Sequence, residues 1–156
     1  MRDKKYRGFT LLEFLIVIGI TVILGTIAGL NLYGIYTHRN LNSDIQKIVY
    51  VLRAARDNSI NQEQASQWGV HFENPATSTD FYVLFRGSDY STGTSSLRET
   101  LGLGVEFTSP SSGSSTDVIF SKLTGLSSTA SPIIISLTNN PTASGTISIT
   151  TSTIQY

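Results

Sequence analysis

Hydrophobic and polar residues are unevenly distributed along the chain, and the first long feature is an apolar run near the amino terminus. Between Phe9 and Thr37 the only acidic or basic residue is Glu13. The stretch Phe14–Thr37 carries no charge, and as a helix it would measure roughly 36 Å against about 30 Å for the hydrocarbon core of a bilayer. The pattern therefore predicts a membrane-spanning helix over residues 9–37.

After Thr37 the pattern becomes amphipathic without a helix breaker. One apolar stripe with three- and four-residue spacing is predicted to cover a sheet, and its members are Leu41, Ile45, Ile48, Leu52 and Ala55. Asp44 and Lys47 lie on the more polar sides, which we expect to be solvated. We therefore predict one continuous helix over about residues 9–61, whose second half, residues 38–61, enters the globular part.

Residues 62–156 show the short apolar and alternating runs that are typical of β-strands. Loops are expected over residues 87–96 and 109–116, and turns at Asn140-Pro141 and Gly145. The connections are too short for crossovers, so the strands should pair mainly antiparallel. Six or seven strands are expected, with the clearest patterns at 68–73, 81–85, 105–107, 118–120, 133–137 and 146–149. The chain is therefore predicted to be α+β, with a Ser/Thr-rich β domain over residues 62–156.

Charge and composition narrow the function classes. The 156 residues suffice for one domain of ordinary size, and eleven Lys and Arg balance eleven Asp and Glu. The last 34 residues contain no Lys or Arg, so we expect no nucleic acid as a partner, since phosphate contacts need cations. The absence of cysteine excludes disulfides and thiolate metal sites. Four of the basic residues precede the apolar run, which predicts a cytoplasmic amino terminus and an exported remainder: Arg2, Lys4, Lys5 and Arg7.

Three interpretations of the amino terminus differ in whether they account for Glu13. A secretory signal peptide would be cleaved after Thr26-Ile27-Ala28, just before Gly29. A plain signal anchor would tether any exported domain, but it leaves Glu13 unexplained. A carboxylate inside a membrane segment costs about 2.5–3.5 kcal/mol on insertion scales, so its presence calls for a function or a partner.

The third interpretation accounts for this carboxylate. The stretch Gly8-Phe9-Thr10-Leu11-Leu12-Glu13, continued by an apolar run to Ile18, resembles the processing and methylation site of type IV pilins and type II secretion pseudopilins. The resemblance implies that a prepilin peptidase removes residues 1–8 by cutting after Gly8 and methylates the new terminus at Phe9. It also implies that Glu13 pairs with the terminal amine of a neighbouring subunit during assembly.

The same resemblance implies a fold, partners and a location. The fold would be pilin-like, with residues 9–37 as transmembrane and filament-core helix and residues 38–61 as amphipathic helix packed on a mainly antiparallel sheet. The partners would be the prepilin peptidase/N-methyltransferase, other pilin or pseudopilin subunits and an inner-membrane assembly platform. The protein would cross the inner membrane once before it enters an extracytoplasmic filament.

Two weaker features accompany this motif. Gly25-x-x-x-Gly29 has the small-residue spacing that permits close helix packing, and we take Gly25 and Gly29 as candidate packing positions. Residues 52–60 and 69–72 also resemble the globular part of GspH/FimT-like minor pilins and pseudopilins. That second resemblance favours a minor, tip-initiating role as an alternative to the main shaft subunit.

Candidate catalytic and metal chemistry is sparse. The sequence contains no G-x-S-x-G elbow and no P-loop, so no enzyme activity and no cofactor are predicted. His38 and His71 have no convergent cysteine ligands, and the oxygen-rich stretch Gly87–Gly93 contains one acidic residue, too few for calcium. The remaining alternative to a filament subunit is a membrane-tethered binding or adhesive domain that does not polymerise.

Overall fold

A computed structural model describes residues 9–150 and 153–156 of the chain, and the side chains of residues 27–33 lie outside this description. The chain divides into two compact units, Met1–Tyr36 and Thr37–Tyr156. Helix α1 runs over Leu11–Ile60. The predicted helix over about residues 9–61 is thus confirmed, as is the α+β fold class.

The second unit adds eight strands among the described residues, together with a short 3₁₀ turn at Glu63–Ala65. One sheet has the order β3-β2-β1-β5 and the other the order β4-β6-β7-β8. Every strand pair is antiparallel, which confirms the expectation from short connections. The strands are β1 Trp68–Asn74, β2 Phe81–Arg86, β3 Thr94–Thr100, β4 Val105–Ser109, β5 Ser114–Phe120, β6 Ile133–Leu137, β7 Asn140–Ile149 and β8 Ile154–Gln155.

The amphipathic half of α1 supplies one wall of the hydrophobic core. The whole predicted stripe, Leu41 to Ala55, is buried and belongs to one cluster with apolar side chains of both sheets. Packing against β7 is so close that a Cβ added at Gly145 would stand 2.2 Å from Cδ1 of Ile45. The turn predicted at Gly145 is therefore wrong, because β7 runs through this position and α1 leaves no room for a side chain there. The turn predicted at Asn140-Pro141 lies two residues earlier, at 138–139, and β7 begins at Asn140.

Two strands begin inside predicted loops, and a third strand was not predicted. β3 begins inside the predicted loop 87–96, and all seven of its residues are exposed, so it has no apolar pattern that would reveal it. β5 begins at Ser114, inside the predicted loop 109–116. The short β8 was not predicted. In each case the strand forms because a neighbouring strand pairs with its backbone, and the local sequence alone does not indicate this pairing.

Buried polar side chains join the two sheets at the backbone of Phe107. The Asn74 amide at the end of β1 donates to the Phe107 carbonyl at 2.8 Å and to the Pro110 carbonyl at 2.9 Å. The Phe107 N–H donates to Oδ2 of Asp80 at 2.6 Å. Because all these groups are withdrawn from water, each lost partner would leave a buried polar group unsatisfied, at a cost of about 1–3 kcal/mol.

A third buried polar residue corrects a prediction for α1. Asp44, which we placed on a solvated side, is only 2% exposed. Its Oδ2 accepts a hydrogen bond from the Gly102 N–H at 2.7 Å, and its Oδ1 lies 3.5 Å from Nζ of Lys47. The helix is therefore tied to the β3–β4 connection by a carboxylate whose spacing from Lys47 suggested only a surface pair.

The substitution Asp80→Asn tests the junction between the sheets. Burial raises the pKa of the Asp80 carboxyl, Glu106 adds to this rise, and the Phe107 hydrogen bond opposes it. A raised folded-state pKa means that ionisation weakens the fold, so wild-type stability from this group is present at acid pH and declines as pH rises through the folded pKa. Asparagine keeps an acceptor and does not ionise. We expect the variant to gain stability relative to wild type as the pH rises above about 4, the ordinary range in which an unfolded-state carboxyl ionises.

The measurement is urea unfolding of the full chain in detergent, followed by fluorescence of the single tryptophan, Trp68, which is buried. Asp57→Asn, at an exposed position of α1, serves as the control for loss of one negative charge. A difference in the free energy of unfolding between Asp80→Asn and wild type that does not change with pH would contradict this account of Asp80.

Candidate functional site

The helical part of the first unit exposes apolar side chains on every side. Five consecutive residues, Phe14 to Ile18, are each between 47% and 65% exposed, and they extend over more than one helical turn. Leu11, Leu12 and the residues near Leu24 are exposed in the same way. A helix that is apolar all round is normally buried in a protein core, a membrane or an assembly. We therefore expect lipid or other protein chains to cover these side chains.

A capped turn fixes where this helix begins. Oγ1 of Thr10 accepts a hydrogen bond from the Glu13 N–H at 3.2 Å, and the Thr10 carbonyl accepts from the Phe14 N–H at 3.2 Å. Thr10 is therefore the N-cap, and Glu13 occupies the third helical position of a Thr-x-x-Glu capping sequence. Phe9 lies just before the cap and is 84% exposed. The residue predicted to become the new amino terminus thus directly precedes an ordered helix start.

The exposed Glu13 carboxylate lies in the first turn of α1. Unpaired N–H groups and the helix dipole make that end of a helix favourable for negative charge. Thr10 and Glu13 together therefore stabilise the start of the helix while the carboxylate stays open to a partner. Sequence reasoning used Glu13 and overlooked Thr10, although the Thr-x-x-Glu spacing is a recognisable signal for a helix start.

The remaining predicted site residues are placed as follows. Gly8 lies outside the described residues. A Cβ added at Gly25 would meet nothing within 4 Å, so no other part of the described chain packs against it. The surroundings of Gly29 are outside the described part of the structure. The predicted membrane span, residues 9–37, includes the seven residues whose side chains are not described. Among the residues that the structure describes, no helix is long and apolar enough to cross a membrane.

A polar centre of the second unit surrounds His71 on β1. Nδ1 of the ring lies 2.5 Å from Oδ1 of Asp117, and Nε2 lies 3.2 Å from Oε2 of Glu73. The ring of Tyr90 stacks on the imidazole at a centroid distance of 3.8 Å. The contact with Asp117 links β1 to β5, and the stacked ring of Tyr90 links β1 to the β2–β3 loop, whereas Glu73 lies on β1 itself.

This centre and the neighbouring loop offer no convergent set of metal ligands. The two carboxylates approach opposite nitrogens of His71, and the described residues contain no group of three or more His, Asp or Glu side chains that could hold a metal ion. In the loop, Oδ1 of Asp89 accepts hydrogen bonds from the Ser91 N–H at 2.7 Å and the Ser91 hydroxyl at 2.5 Å. These bonds lower the pKa of the Asp89 carboxyl and commit that oxygen to the turn.

The substitution Thr10→Ala should loosen the helix start. Loss of an N-cap hydroxyl costs about 1 kcal/mol, so amide hydrogen exchange at residues 12–14 should accelerate roughly five-fold. Thr10→Ser keeps an acceptor at the same position and should stay close to wild type. The measurement is hydrogen exchange of the full chain in detergent micelles, and equal exchange rates in wild type and Thr10→Ala would show that the hydroxyl does not cap the helix.

Comparison with known proteins gives one match, and it falls on this segment. The family described as prokaryotic N-terminal methylation motif matches residues 3–29. No curated protein and no solved structure matches the chain. The likeness of the globular part to GspH/FimT-like proteins is therefore not confirmed. Residues 3–29 form a prokaryotic N-terminal methylation motif, the prepilin signal of type IV pilins and pseudopilins.

Proposed function

We propose that this protein is a non-catalytic structural subunit of a type IV pilus-like filament or a type II secretion pseudopilus. The observation that carries the proposal is the capped helix that begins at Leu11 and exposes apolar residues all round. It follows directly after the proposed processing position, Gly8-Phe9, which lies within the residues that the methylation motif matches. A filament core made from many such helices would cover these side chains without contributions from the globular unit.

Processing would come first. Cleavage between Gly8 and Phe9 by a prepilin peptidase would leave 148 of the 156 residues and remove four basic side chains together with Asp3. Gly8 suits this step because a residue without a side chain allows the extended backbone to enter a protease cleft closely. N-methylation by the same enzyme would follow at Phe9, which is exposed and lies just outside the helix.

Assembly would then transfer the helix from lipid to other helices. Before assembly, residues 9–37 would anchor the protein in the inner membrane, with the amino terminus in the cytoplasm and the globular unit outside. An assembly platform in that membrane would pass the subunit to the growing filament. Gly25 and Gly29 would permit close approach between neighbouring helices, since neither presents a side chain.

Glu13 would set the register of each added subunit. In an apolar core an unpaired carboxylate and an unpaired terminal amine are both costly, and a pair between them removes both penalties at once. An incoming subunit placed one residue out of register would leave both charges unpaired. We therefore assign Glu13 to selection of the correct axial position, with the amine of Phe9 in the adjacent subunit as its partner.

The substitution Glu13→Ala tests this assignment. Membrane insertion and cleavage after Gly8 should proceed as in wild type, because the change makes the segment more apolar and leaves the cleavage site unaltered. The filament fraction released by shearing should fall about ten-fold or more, since an unpaired amine in an apolar core costs at least 1.4 kcal/mol.

Two matched variants sharpen the test. Glu13→Gln keeps the shape and the capping position but removes the charge, so it should fail in the same way. Glu63→Ala removes an exposed carboxylate outside the motif and should assemble normally. Quantitative immunoblots of membrane and filament fractions provide the readout, and normal incorporation of Glu13→Ala would refute the pairing.

A further inference from the structure

A cleft of about 490 Å³ lies between α1 and the edge strand β3 in the second unit. We call it the α1–β3 cleft. Apolar groups from Val51 and Leu97 line it together with the rings of two tyrosines, and Lys47 and Glu99 provide one charge of each sign. The full lining consists of Gln46, Lys47, Tyr50, Val51, Tyr82, Leu97 and Glu99.

Tyr82, on β2, lines this cleft, and its hydroxyl is withdrawn from the solvent. The residue is 1% exposed, and its hydroxyl has no hydrogen-bond partner within the described part of the chain. Burial raises the pKa of this hydroxyl, and the carboxylates of Glu99 and Asp44 raise it further, so the group is neutral. A buried hydroxyl without a partner costs about 1–3 kcal/mol. Because this hydroxyl is shielded, the cleft offers an occupant apolar surface rather than a hydrogen-bonding group.

A complementary feature projects from the turn Ser121–Gly125, which we call the Leu123 turn. Leu123 is 66% exposed and has a φ of +65°, a left-handed conformation that is costly for a bulky residue. Its N–H donates to the Ser59 carbonyl at 3.2 Å, and the Gly125 N–H closes the turn on the Ser121 carbonyl at 2.9 Å. The fold thus holds a leucine outward at a strained position where Gly or Asn would be expected.

Charge favours a fit between the two features. Lys122, next to Leu123, is exposed, and it is the last basic residue of the chain. Its Nζ donates one hydrogen bond to the Ala65 carbonyl at 2.5 Å, which leaves two of the three ammonium donors for another acceptor. Glu99 is exposed beside the cleft. With Leu123 in the apolar cleft, Lys122 would pair with Glu99.

The positions of the two features determine what kind of contact they make. The α1–β3 cleft lies against residues 46–51 of α1, whereas the Leu123 turn contacts Ser59 near the end of the helix. Eight residues of helix separate Ser59 from Val51, about 12 Å along the axis. The two surfaces are different and are not self-complementary, so a contact between copies is heterologous and leaves a free turn and a free cleft at its ends. Contacts of this kind build open arrays rather than closed dimers.

We propose that the Leu123 turn of one copy inserts into the α1–β3 cleft of the next copy, with Lys122 paired to Glu99. The contact rests on the proposed filament function, because it needs many copies held in one repeating arrangement. It adds a specific contact between globular units to the packing of the amino-terminal helices.

Cysteine cross-linking tests the contact, since the chain contains no cysteine. A variant with both Leu97→Cys and Leu123→Cys should give a ladder of disulfide-linked multimers when assembled filaments are oxidised. The cross-linked fraction should exceed that of Leu123→Cys with Thr142→Cys by roughly ten-fold, because seated partners have a high effective concentration. Thr142 is an exposed position on β7, away from the cleft lining.

The outcomes separate this proposal from the proposed function. Filaments that assemble but give no ladder, or the same ladder for both cysteine pairs, would overturn the contact and leave the filament role intact. A wild-type protein that is processed yet never enters a filament would refute the proposed function and, with it, the contact.

Charge reversal supplies a second measurement that does not depend on cysteine geometry. Glu99→Lys and Lys122→Glu should each lower filament yield several-fold, and the two together should restore it. Single variants that assemble as well as wild type, or a double variant without recovery, would count against the ion pair and the contact.

Discussion

An apolar surface that extends around a whole helix must be covered, and in this protein the helix that carries it cannot cover itself. The described residues from Leu11 to Leu24 include large aliphatic and aromatic side chains on every side. Lipid can cover them, and so can a bundle of identical helices, and the two environments differ mainly in what they offer to a carboxylate. In lipid Glu13 would have no partner, whereas in the proposed filament the terminal amine of another subunit would reach it. Under this proposal, the position of one charge would make assembly specific as well as favourable.

The second unit meets a different requirement, which is to keep its shape without disulfides. Its core combines one stripe of α1 with the inner faces of two sheets. Buried polar groups then fix the elements relative to one another: Asn74 and Asp80 hold the backbone of Phe107, and Asp44 holds that of Gly102. Each of these side chains satisfies a backbone group that would otherwise be buried unpaired. A rigid unit of this kind can present a defined cleft and a defined turn to its neighbours.

Much of this arrangement could be predicted from the sequence where apolar residues recur at a regular spacing. The stripe from Leu41 to Ala55 follows directly from burial on one face of α1. The alternation in β1 correctly predicted a strand, although six of its seven residues are buried. The prepilin signal was recognisable because its residues are contiguous, and Thr10 could have been recognised from the same stretch. Features created by tertiary contact could not be predicted. β3 is a strand through its pairing with β2, and Gly145 lies in a strand through the pairing of β7 with β6, with glycine at that position because Ile45 fills the adjacent space. Asp44 is buried where its carboxylate accepts a hydrogen bond from the Gly102 N–H.

The α1–β3 cleft and the Leu123 turn are also features created by tertiary contact, since they combine residues far apart in the chain. The proposed contact between them, however, depends on the prepilin signal, because a heterologous contact between copies matters only if the protein polymerises. The most direct test of that central claim is the intact mass and the amino-terminal peptide of the protein taken from its native membrane. The account predicts a 148-residue chain that begins with N-methyl-Phe9. A chain that still begins with Met1, or one that begins at Gly29, would contradict it.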